Sequence, residues 1–316
     1  MKKVLLLFGG NSYEYDVSLK SAKSIMDNYD KNKFDIIPVL ITKNNKWIVY
    51  DTSLTNELYT IDNIINFIKT VDLVFPIIHG YGGEDGKLQG MLDFFNIKYV
   101  GCNTLTSAIG MDKEISKILF SHIGIPITPY IVIRKNYNIN KIERLLSYPI
   151  IIKPSNGGSS IGLSKADNRK ELKKGIKEAL KYDNKILLEK YIKGRELECA
   201  ILENSKLIIS DLGEILSENE IYDYEAKYIK KSNTAIPTDI PTNVKRQIQK
   251  YAEKVFKFLN CKDLTRIDFF YDEENNKIYL NEINTLPGFT EISMYPKLIM
   301  DKKISYTNLI TYLLQK

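Results

Sequence analysis

Three residue types are scarce in this chain of 316 residues, which has three cysteines, two histidines and one tryptophan. The cysteines, Cys102, Cys199 and Cys261, are isolated from one another and set among apolar residues. A disulfide framework needs an even number of cysteines, and a zinc site needs cysteines and histidines in clusters. We therefore expect three reduced core cysteines, as in a cytoplasmic protein, and neither disulfides nor a zinc site.

The chain also lacks a long apolar run. A membrane-spanning helix needs about 20 apolar residues, and a secretory signal peptide needs an apolar core of roughly 7–15 residues. The first apolar run covers only residues 4–8. We interpret this run as a buried first strand, and we expect a cytoplasmic protein without a membrane partner.

Charge of one sign is not concentrated anywhere in the chain. The 45 basic and 39 acidic residues are mixed, and no five residues of like charge follow one another. Proteins that bind nucleic acids carry clusters of lysine and arginine, so we expect no nucleic-acid partner. The hydrophobic fraction of 44% and the charged fraction of 27% are typical of a globular protein. The length allows two or three compact units.

Strand and helix patterns alternate over the first hundred residues. A helix is predicted at 17–26, and apolar strands are predicted at 4–8, 34–41, 47–50 and 72–78. This alternation predicts an open α/β sheet with parallel strands. The turn FGGNS after the first strand suits a ligand at a helix N-terminus. It is not the G-x-G-x-x-G of a nicotinamide dinucleotide site.

A glycine-rich loop, HGYGGEDGKLQG at 79–90, follows the last of these strands. Its five glycines permit close approach of the backbone to a ligand. Open α/β sheets bind ligands at the carboxyl ends of their strands. A lone histidine is more often structural, but this position favours a binding role for His79. We interpret His122, on a predicted apolar helix at 107–122, as structural.

A second glycine-rich loop, SNGGSSIG at 155–162, follows a predicted buried strand at 149–154. Small residues leave N–H and O–H groups free to bind phosphates. Lys153 lies at the end of this otherwise apolar strand, where it needs an anionic partner. We therefore predict a phosphate-binding loop, with a flexible surface hairpin as the alternative. It is not a Walker loop, because no G-K-[ST] opens a helix.

Residues 264–284 predict a β-hairpin, because two apolar runs flank the polar turn DEENN. Strand alternation places Arg266 and Asp268 on one face of the first strand, and Glu282 and Asn284 on one face of the second. Closing the hairpin brings the two carboxylates together beside an amide oxygen. This set suits Mg²⁺ held with substrate phosphates. An ordinary solvated hairpin face is the alternative.

Two segments between the second loop and the hairpin add candidates. Glu189 lies among apolar residues in a predicted strand at 186–192, either as an edge charge or as a ligand of adenine or ribose. The sequence YDYEAKY at 222–228 contains three tyrosines, two acids and a lysine. This composition is typical of a lid that orders over a substrate.

Seven motifs in this order resemble those of the D-alanine–D-alanine ligase family, in the ATP-grasp superfamily. They are HGYGGEDGKLQG (79–90), MDK (111–113), KPSNGGSSIG (153–162), EKYIKGRE (189–196), YDYEAKY (222–228), RIDFF (266–270) and NEINTLPGFT (281–290). The resemblance covers nearly the whole chain. It implies an α/β fold, in part α+β, with an N-terminal open parallel α/β domain at 1–103. A two-part ATP-grasp fold at 104–192 and 193–316 would follow.

The resemblance implies a reaction in two steps. The carboxylate of one D-alanine takes the γ-phosphoryl group of ATP, and the amine of a second D-alanine then attacks the acyl phosphate. The product would feed peptidoglycan synthesis in the cytoplasm. The cofactors implied are ATP and two Mg²⁺ or Mn²⁺ ions, and the assembly implied is a homodimer.

The resemblance also assigns roles to single residues. Contacts with ATP are implied for Lys113, Lys153, Ser160, Glu189, Glu196 and Lys227. Metal binding is implied for Asp268, Glu282 and Asn284, in agreement with the hairpin argument. Orientation of the first substrate or stabilisation of the oxyanion is implied for Asp16, Ser159, Tyr228, Arg266 and Gly288. Further substrate contacts are implied for His79, Ser293 and Met294.

Asp16 departs from the family pattern. Family members usually carry glutamate at the position we match to Asp16, and the resemblance implies that this acid binds the ammonium group of the first D-alanine. Aspartate is one methylene shorter. Three explanations stay open: the helix lies closer, a water molecule bridges the gap, or Glu14 takes part.

The second substrate and the reaction itself have alternatives. Relatives in the family join D-lactate or D-serine, but Tyr228 and Met294 resemble the D-alanine enzymes. An apolar methionine would leave the hydroxyl of D-serine unpaired. The alternatives are another ATP-grasp carboxylate–amine ligase, such as a D-alanine–D-serine ligase, and a non-catalytic nucleotide-binding paralogue. The latter predicts a broken metal or oxyanion set, whereas the set here is complete.

Overall fold

The computed structural model describes residues 1–216 and 233–316, so the predicted lid, with Lys227 and Tyr228, lies outside the described residues. Within these ranges the chain forms three β-sheets with helices packed against them. None of the helices in these ranges is long and apolar enough to cross a membrane. The combination of sheets and helices confirms the predicted α/β class.

The first sheet has the strand order β4-β3-β2-β1-β5. Its strands are β1 (Lys2–Gly9), β2 (Phe34–Ile41), β3 (Trp47–Tyr50), β4 (Glu57–Thr60) and β5 (Leu73–Pro76). β1 pairs in parallel with β2 and β5, as predicted. β3 and β4 pair antiparallel instead, because the connections from β2 to β3 and from β3 to β4 are too short for a crossover.

Three helices accompany this sheet: α1 (Tyr15–Asn28), α2 (Ile64–Ile68) and α3 (Lys87–Phe94). The buried face of α1 repeats every three to four residues, with Val17, Ser21 and Ile25 among its buried members. This periodicity places one side of α1 against the sheet. The N-terminus of α1 therefore lies at the carboxyl end of β1.

The second sheet is antiparallel, with the order β6-β9-β7-β8. Its strands are β6 (Tyr130–Ile133), β7 (Ile150–Pro154), β8 (Ser164–Ala166) and β9 (Ile186–Lys190). The helices in this part of the chain are α4 (Thr104–Met111), α5 (Lys113–His122), α6 (Ile139–Leu145) and α7 (Arg169–Ala179). The long loop between β7 and β8 carries the second glycine-rich motif.

The single helix predicted at 107–122 is wrong, because α4 ends before Asp112 and α5 begins after it. The side chain of Asp112 accepts hydrogen bonds from the backbone N–H groups of Glu114 and Ile115. Such an N-cap replaces the missing helical partners at the start of a helix. The break turns the chain so that Lys113 lies beside the second glycine-rich loop.

The third sheet has the order β12-β11-β10-β13-β14 and is also antiparallel. Its strands are β10 (Arg195–Glu203), β11 (Leu207–Leu216), β12 (Asn233–Ala235), β13 (Leu264–Asp272) and β14 (Lys277–Asn284). The remaining described helices are α8 (Thr242–Phe258), α9 (Met294–Asp301) and α10 (Tyr306–Leu314).

A shared hydrophobic core joins the first sheet to the end of the chain. Phe75 of β5 packs edge-on against Phe289, with 5.7 Å between the ring centroids. The hydroxyl of Tyr306 donates to the carbonyl of Phe289 at 2.5 Å. The first contact holds the turn after β14 against the first sheet, and the second joins the same turn to α10.

Candidate active site

A cavity of about 500 Å³ lies between the second and third sheets. Residues of β7 and β9 line one side, and residues of β10, β11, β13 and β14 line the other, with the loop 155–162 also contributing. Several residues predicted to contact ATP face this cavity: Lys113, Lys153, Ser160, Glu189 and Glu196. A cleft between two antiparallel sheets is therefore the candidate nucleotide site.

Glu189 lies between two lysines at the inner wall of this cavity. Its carboxylate is 2.8 Å from the ammonium of Lys153 and 2.8 Å from that of Lys117. Burial opposes the charge of Glu189, but the two lysines outweigh it and hold the pKa of the carboxyl below its usual range. Lys153 also donates to the amide oxygen of Asn281 at 3.2 Å.

Lys117 is fully buried on α5 and was missed in the sequence. Burial lowers the pKa of its ammonium group. Its position four residues after Lys113, on a helix with apolar residues, was the available signal. Its partner, Glu189, lies on a strand that is distant in the sequence, so no local sequence pattern indicates the ion pair.

Lys113 and the loop 155–162 cover one side of the cavity. The ammonium of Lys113 donates to the carbonyl of Gly157 at 2.5 Å and lies 3.7 Å from the carboxylate of Glu282. Ser159 and Ser160 are left-handed, with φ of 52° and 58°. L residues rarely adopt this backbone conformation. The loop therefore has a defined backbone conformation where it lines the cavity with Lys113 and Lys153.

The hairpin of β13 and β14 has the register expected from the sequence. Asp268 pairs with Glu282, and Arg266 pairs with Asn284. The guanidinium of Arg266 donates twice to the carboxylate of Asp268, at 2.8 Å each, and the side-chain amide of Asn284 donates to it at 2.9 Å. The predicted convergence of two carboxylates, an amide and an arginine is confirmed.

Glu198 of β10 is a further member of this cluster that the sequence did not reveal. It pairs with Asp268 in the register of β10 and β13 and lies 2.8 Å from the guanidinium of Arg266. Burial alone would lower the pKa of Arg266, but Asp268 and Glu198 raise it well above its usual value. Arg266 is therefore a fixed positive charge.

A second cavity of about 910 Å³ adjoins the first. It is lined by α1, the loop 79–90, the hairpin end and the turn after β14. The two cavities share Lys113, Ser159 and Glu282. The two cavities therefore adjoin at these three residues.

The structure brings Glu14, and not Asp16, to this second cavity. The hydroxyl of Ser159 donates to the carboxylate of Glu14 at 2.5 Å. Asp16 is exposed and does not line either cavity. The structure thus places Glu14, the N-cap residue of α1, beside Ser159, where we expected Asp16. Of the three explanations, participation of Glu14 fits the geometry.

His79 lies at the base of the second cavity, 2% exposed. Its Nε2 is 3.0 Å from the hydroxyl of Ser21, and its Nδ1 is 3.1 Å from the carbonyl of Leu286. Burial lowers the pKa of the imidazole, but Glu84, 3.7 Å from Nδ1, outweighs burial and raises it. His79 thus joins the loop 79–90 to α1 and to the turn after β14.

The turn after β14 presents Gly288, Ser293 and Met294 to the same cavity. The hydroxyl of Ser293 is 2.7 Å from that of Thr290 and accepts from the N–H of Thr290 at 3.1 Å. Met294 packs on Gly213 of β11, where an added Cβ would lie 2.5 Å from the methionine sulfur. These residues form a compact polar turn with an apolar end.

Two family models cover most of the chain. The model of the D-ala D-ala ligase N-terminus matches residues 3–102, and that of the D-ala D-ala ligase C-terminus matches residues 119–315. The chain belongs to the D-alanine–D-alanine ligase family. The resemblance seen in the seven motifs is thereby confirmed.

Curated members of the D-alanine–D-alanine ligase family match the chain over almost all of its length. The D-alanine–D-alanine ligase of Acetivibrio thermocellus is 43% identical, over 99% of this chain and 95% of that protein. The D-alanine–D-alanine ligase of Caldicellulosiruptor bescii is 44% identical, over 99% and 94%. The family therefore accounts for both parts of the chain.

Solved structures of ligases in this family share the fold. The VanG D-Ala:D-Ser ligase of Enterococcus faecalis has a TM-score of 0.88 and 36% identity, over 99% of this chain and 98% of that one. The D-alanine–D-alanine ligase of Bacillus anthracis complexed with ATP has a TM-score of 0.82 and 27% identity, over 100% and 97%. The predicted ATP-grasp architecture is confirmed, whereas the fold does not separate D-alanine from D-serine as second substrate.

Proposed function

We propose that this chain joins two molecules of D-alanine into D-alanyl-D-alanine with ATP, through a D-alanyl phosphate. The observation that carries the proposal is the junction of the two cavities at Lys113, Ser159 and Glu282. A nucleotide cleft that opens into a second polar cavity suits a reaction in which a phosphoryl group passes from ATP to a small carboxylate. Family membership supplies the identity of that carboxylate.

ATP would occupy the cavity between the second and third sheets. Lys113 and Lys153 neutralise its phosphates, and Ser160 donates to them from the loop 155–162. Glu189 and Glu196, which line the same cavity, would bind adenine and ribose. Phosphoryl transfer depends on neutralising charge and aligning the reactants more than on covalent help from the protein. Lys227, from the lid, would add a further positive charge.

Mg²⁺ or Mn²⁺ fits the end of the hairpin. Asp268 and Glu282 pair across the strands, and the side-chain amide of Asn284, whose nitrogen donates to Asp268, lies beside them, so the set holds two carboxylates and an amide. This is the ligand chemistry that Mg²⁺ prefers in proteins. We propose two such ions, which would supply charge neutralisation for the phosphates when bound. Arg266 holds the carboxylate of Asp268 in a fixed orientation.

The first D-alanine would lie beside Glu14 and Ser159. The carboxylate of Glu14 pairs with the substrate ammonium, while Ser159 and the lid tyrosine Tyr228 orient it. The substrate carboxylate oxygen attacks the γ-phosphorus, the bond to ADP breaks, and an acyl phosphate forms. Acyl phosphates hydrolyse in water, so the loop 155–162 and the lid must exclude it.

The second D-alanine would lie between His79, Ser293 and Met294. Its amine attacks the acyl carbonyl, a C–N bond forms and phosphate leaves, with loss of the proton from nitrogen. The oxyanion that develops on the carbonyl oxygen is stabilised by Arg266 and the N–H of Gly288. The apolar side chain of Met294 favours D-alanine over D-serine, whose hydroxyl would stay unpaired.

The setting of the enzyme completes the proposal. We propose a cytoplasmic homodimer whose product serves peptidoglycan synthesis, with the three units at 1–103, 104–192 and 193–316. D-Serine as second substrate is the alternative that the similarity to VanG supports.

The test is phosphate release from ATP with Mg²⁺, measured with D-alanine, L-alanine, D-serine and D-lactate, and with products identified by mass spectrometry. We expect release with D-alanine, together with its dipeptide, and none with L-alanine. A mixed product when D-serine is added in equal amount would support the alternative. Purified protein that binds ATP but responds to none of the four would contradict the proposal.

A further inference from the structure

The turn between α7 and β9 contacts the loop 155–162 at both of its ends. We call residues 182–185 the anchor turn. At the start of the loop, the carboxylate of Asp183 accepts from the backbone N–H of Asn156 at 2.8 Å and from its side-chain amide at 3.0 Å. The same carboxylate accepts from the N–H of Lys185 at 3.1 Å. Asp183 therefore fixes the first turn of the loop to the start of β9.

Lys185 ties the same region to the start of α5. Its ammonium donates to both carboxylate oxygens of Asp112, at 2.7 and 2.5 Å, and lies 3.0 Å from Glu114. Its carbonyl accepts from the N–H of Ser155 at 2.9 Å, and the hydroxyl of Ser155 donates to Asp112 at 3.1 Å. Lys185 is 9% exposed, whereas the side chains of Asp112 and Glu114 are each 22% exposed.

The far end of the loop also rests on the anchor turn. Gly162 has a φ of +71°, and a Cβ added there would lie 2.9 Å from the ring of Tyr182. The ring of Tyr182 meets that of Tyr13 edge-on, with centroids 6.1 Å apart. Tyr13 precedes Glu14, the acceptor of Ser159. The anchor turn therefore supports both ends of the loop.

These contacts reach the candidate phosphate-binding lysine through the backbone. The N–H of Lys113 donates to the carbonyl of Ser155 at 3.0 Å, and its ammonium donates to the carbonyl of Gly157 at 2.5 Å. Asp112, which Lys185 holds, is the residue before it. Between the two ends, Ser159 and Ser160 adopt left-handed conformations that a free chain rarely samples. The contacts at the two ends therefore help to keep this shape, together with the bonds of Gly157 to Lys113 and of Ser159 to Glu14 within the loop.

We propose that Asp183 and Lys185 are positioning residues for the nucleotide: they hold the loop 155–162 and Lys113 in the shape that receives the phosphates of ATP. Neither residue lines the nucleotide cavity, so they act through Asn156 and Asp112. The inference rests on the proposed function only in taking ATP as the nucleotide.

The first test is ATP affinity of Lys185→Met, measured by calorimetry on the whole protein with Mg²⁺ present. Losing three charge-assisted contacts is expected to weaken ATP binding about tenfold. The KM for D-alanine is expected to rise less than the Kd for ATP, because only Lys113 and the loop 155–162 depend on Lys185, whereas the rest of the second cavity is formed by other elements. Lys185→Arg, which keeps the charge, is expected to restore most of the affinity. Lys181→Met, at an exposed lysine in the same connection, is the matched control.

The second test uses the bond between Asp183 and the loop. Asp183→Ala, which removes both bonds to Asn156, is expected to weaken ATP binding about fivefold, and Asn156→Ala, which keeps the backbone N–H bond, is expected to weaken it less. The double variant should lose no more than Asp183→Ala, because the side-chain bond is already absent there. Additive losses would show that the two residues act separately. Asn184→Ala, at the exposed neighbour, is the matched control.

The outcomes separate the positioning role from general stability and from the proposed reaction. Unchanged ATP affinity in Lys185→Met, with a lower unfolding temperature, would overturn the inference. An equal rise in the Kd for ATP and in the KM for D-alanine would also overturn the inference. Wild-type protein that releases no phosphate with D-alanine, but binds ATP more tightly than Lys185→Met, would refute the proposed reaction and leave the inference standing.

Discussion

The two glycine-rich loops follow buried strands in the same way, but they are held differently. The loop 79–90 is held by the pair of the buried His79 with Glu84 and by the bonds of His79 to α1 and to the turn after β14. The loop 155–162 is fastened at its ends, by the anchor turn. Two glycine-rich loops therefore have different parts in the site. The loop 79–90 forms a fixed wall of the second cavity, and the loop 155–162 covers the nucleotide cavity.

Glu14 is the side chain at which the two loops meet. A Cβ added at Gly80 would lie 2.5 Å from its carboxylate, and a Cβ added at Gly158 would lie 2.9 Å from it. Glycine in both loops is what admits a carboxylate between them. The first loop, the second loop and α1 are thus coupled at one charge beside the junction of the cavities.

The largest effect is expected from removing this charge. Glu14→Gln should lower kcat/KM for D-alanine by about 10²–10³, because the substrate ammonium loses its ion partner and Ser159 loses its charged acceptor. ATP affinity, measured by calorimetry, should stay within about threefold, since Glu14 itself does not line the nucleotide cavity.

Asp16→Asn is the matched control for Glu14, because it removes an exposed carboxylate two residues away on the same helix. Its turnover should stay within about twofold of wild type, as for most exposed surface changes. A large loss in Asp16→Asn together with a small loss in Glu14→Gln would return the role to Asp16.

An intermediate effect is expected from filling the space beside Glu14. Gly80→Ala introduces a Cβ 2.5 Å from the carboxylate, at a φ of +74°, whereas Gly82→Ala at +85° has nothing within 4 Å of its Cβ. Both should lose about 1–2 kcal/mol of unfolding free energy, because left-handed alanine is disfavoured. Only Gly80→Ala should also raise the KM for D-alanine, by about tenfold.

Urea unfolding and steady-state kinetics on the same two variants measure this difference. Equal KM values for D-alanine in Gly80→Ala and Gly82→Ala would mean that backbone strain alone matters. The contact between the first loop and Glu14 would then have no part in substrate binding.

The hairpin could be predicted from the sequence because its causes are local. Alternation with a period of two and a short polar turn fix which residues face each other, so the pairing of Asp268 with Glu282 followed directly. The order of the motifs likewise predicted the fold, since family resemblance extends along the whole chain.

Features that depend on distant partners could not be predicted in this way. Whether Glu14 or Asp16 faces the cavity depends on where α1 begins, and sequence patterns do not fix a helix boundary to one residue. The break at Asp112 is held by Lys185, 73 residues away. Lys117, on α5, can be recognised as part of the site only from its ion pair with Glu189 on β9.

The smallest effect is expected from the pH dependence of the fixed loop. Glu84, with a smaller contribution from Glu14, raises the pKa of His79 in the folded protein against the effect of burial. The imidazolium therefore stabilises the fold below about pH 6.5, the ordinary histidine value. This contribution is lost as the pH rises through the folded-state pKa.

Urea unfolding of wild type and His79→Gln at pH 6 and pH 8.5 tests this sign. Wild type should lose unfolding free energy between the two pH values, and His79→Gln should lose less, because glutamine does not titrate. The chain offers a matched control, since its other histidine, His122, is exposed on α5. His122→Gln should keep the wild-type difference. If His79→Gln kept it too, the loop 79–90 would owe its rigidity to the neutral hydrogen bonds of His79, and its contrast with the loop 155–162 would not rest on a buried charge.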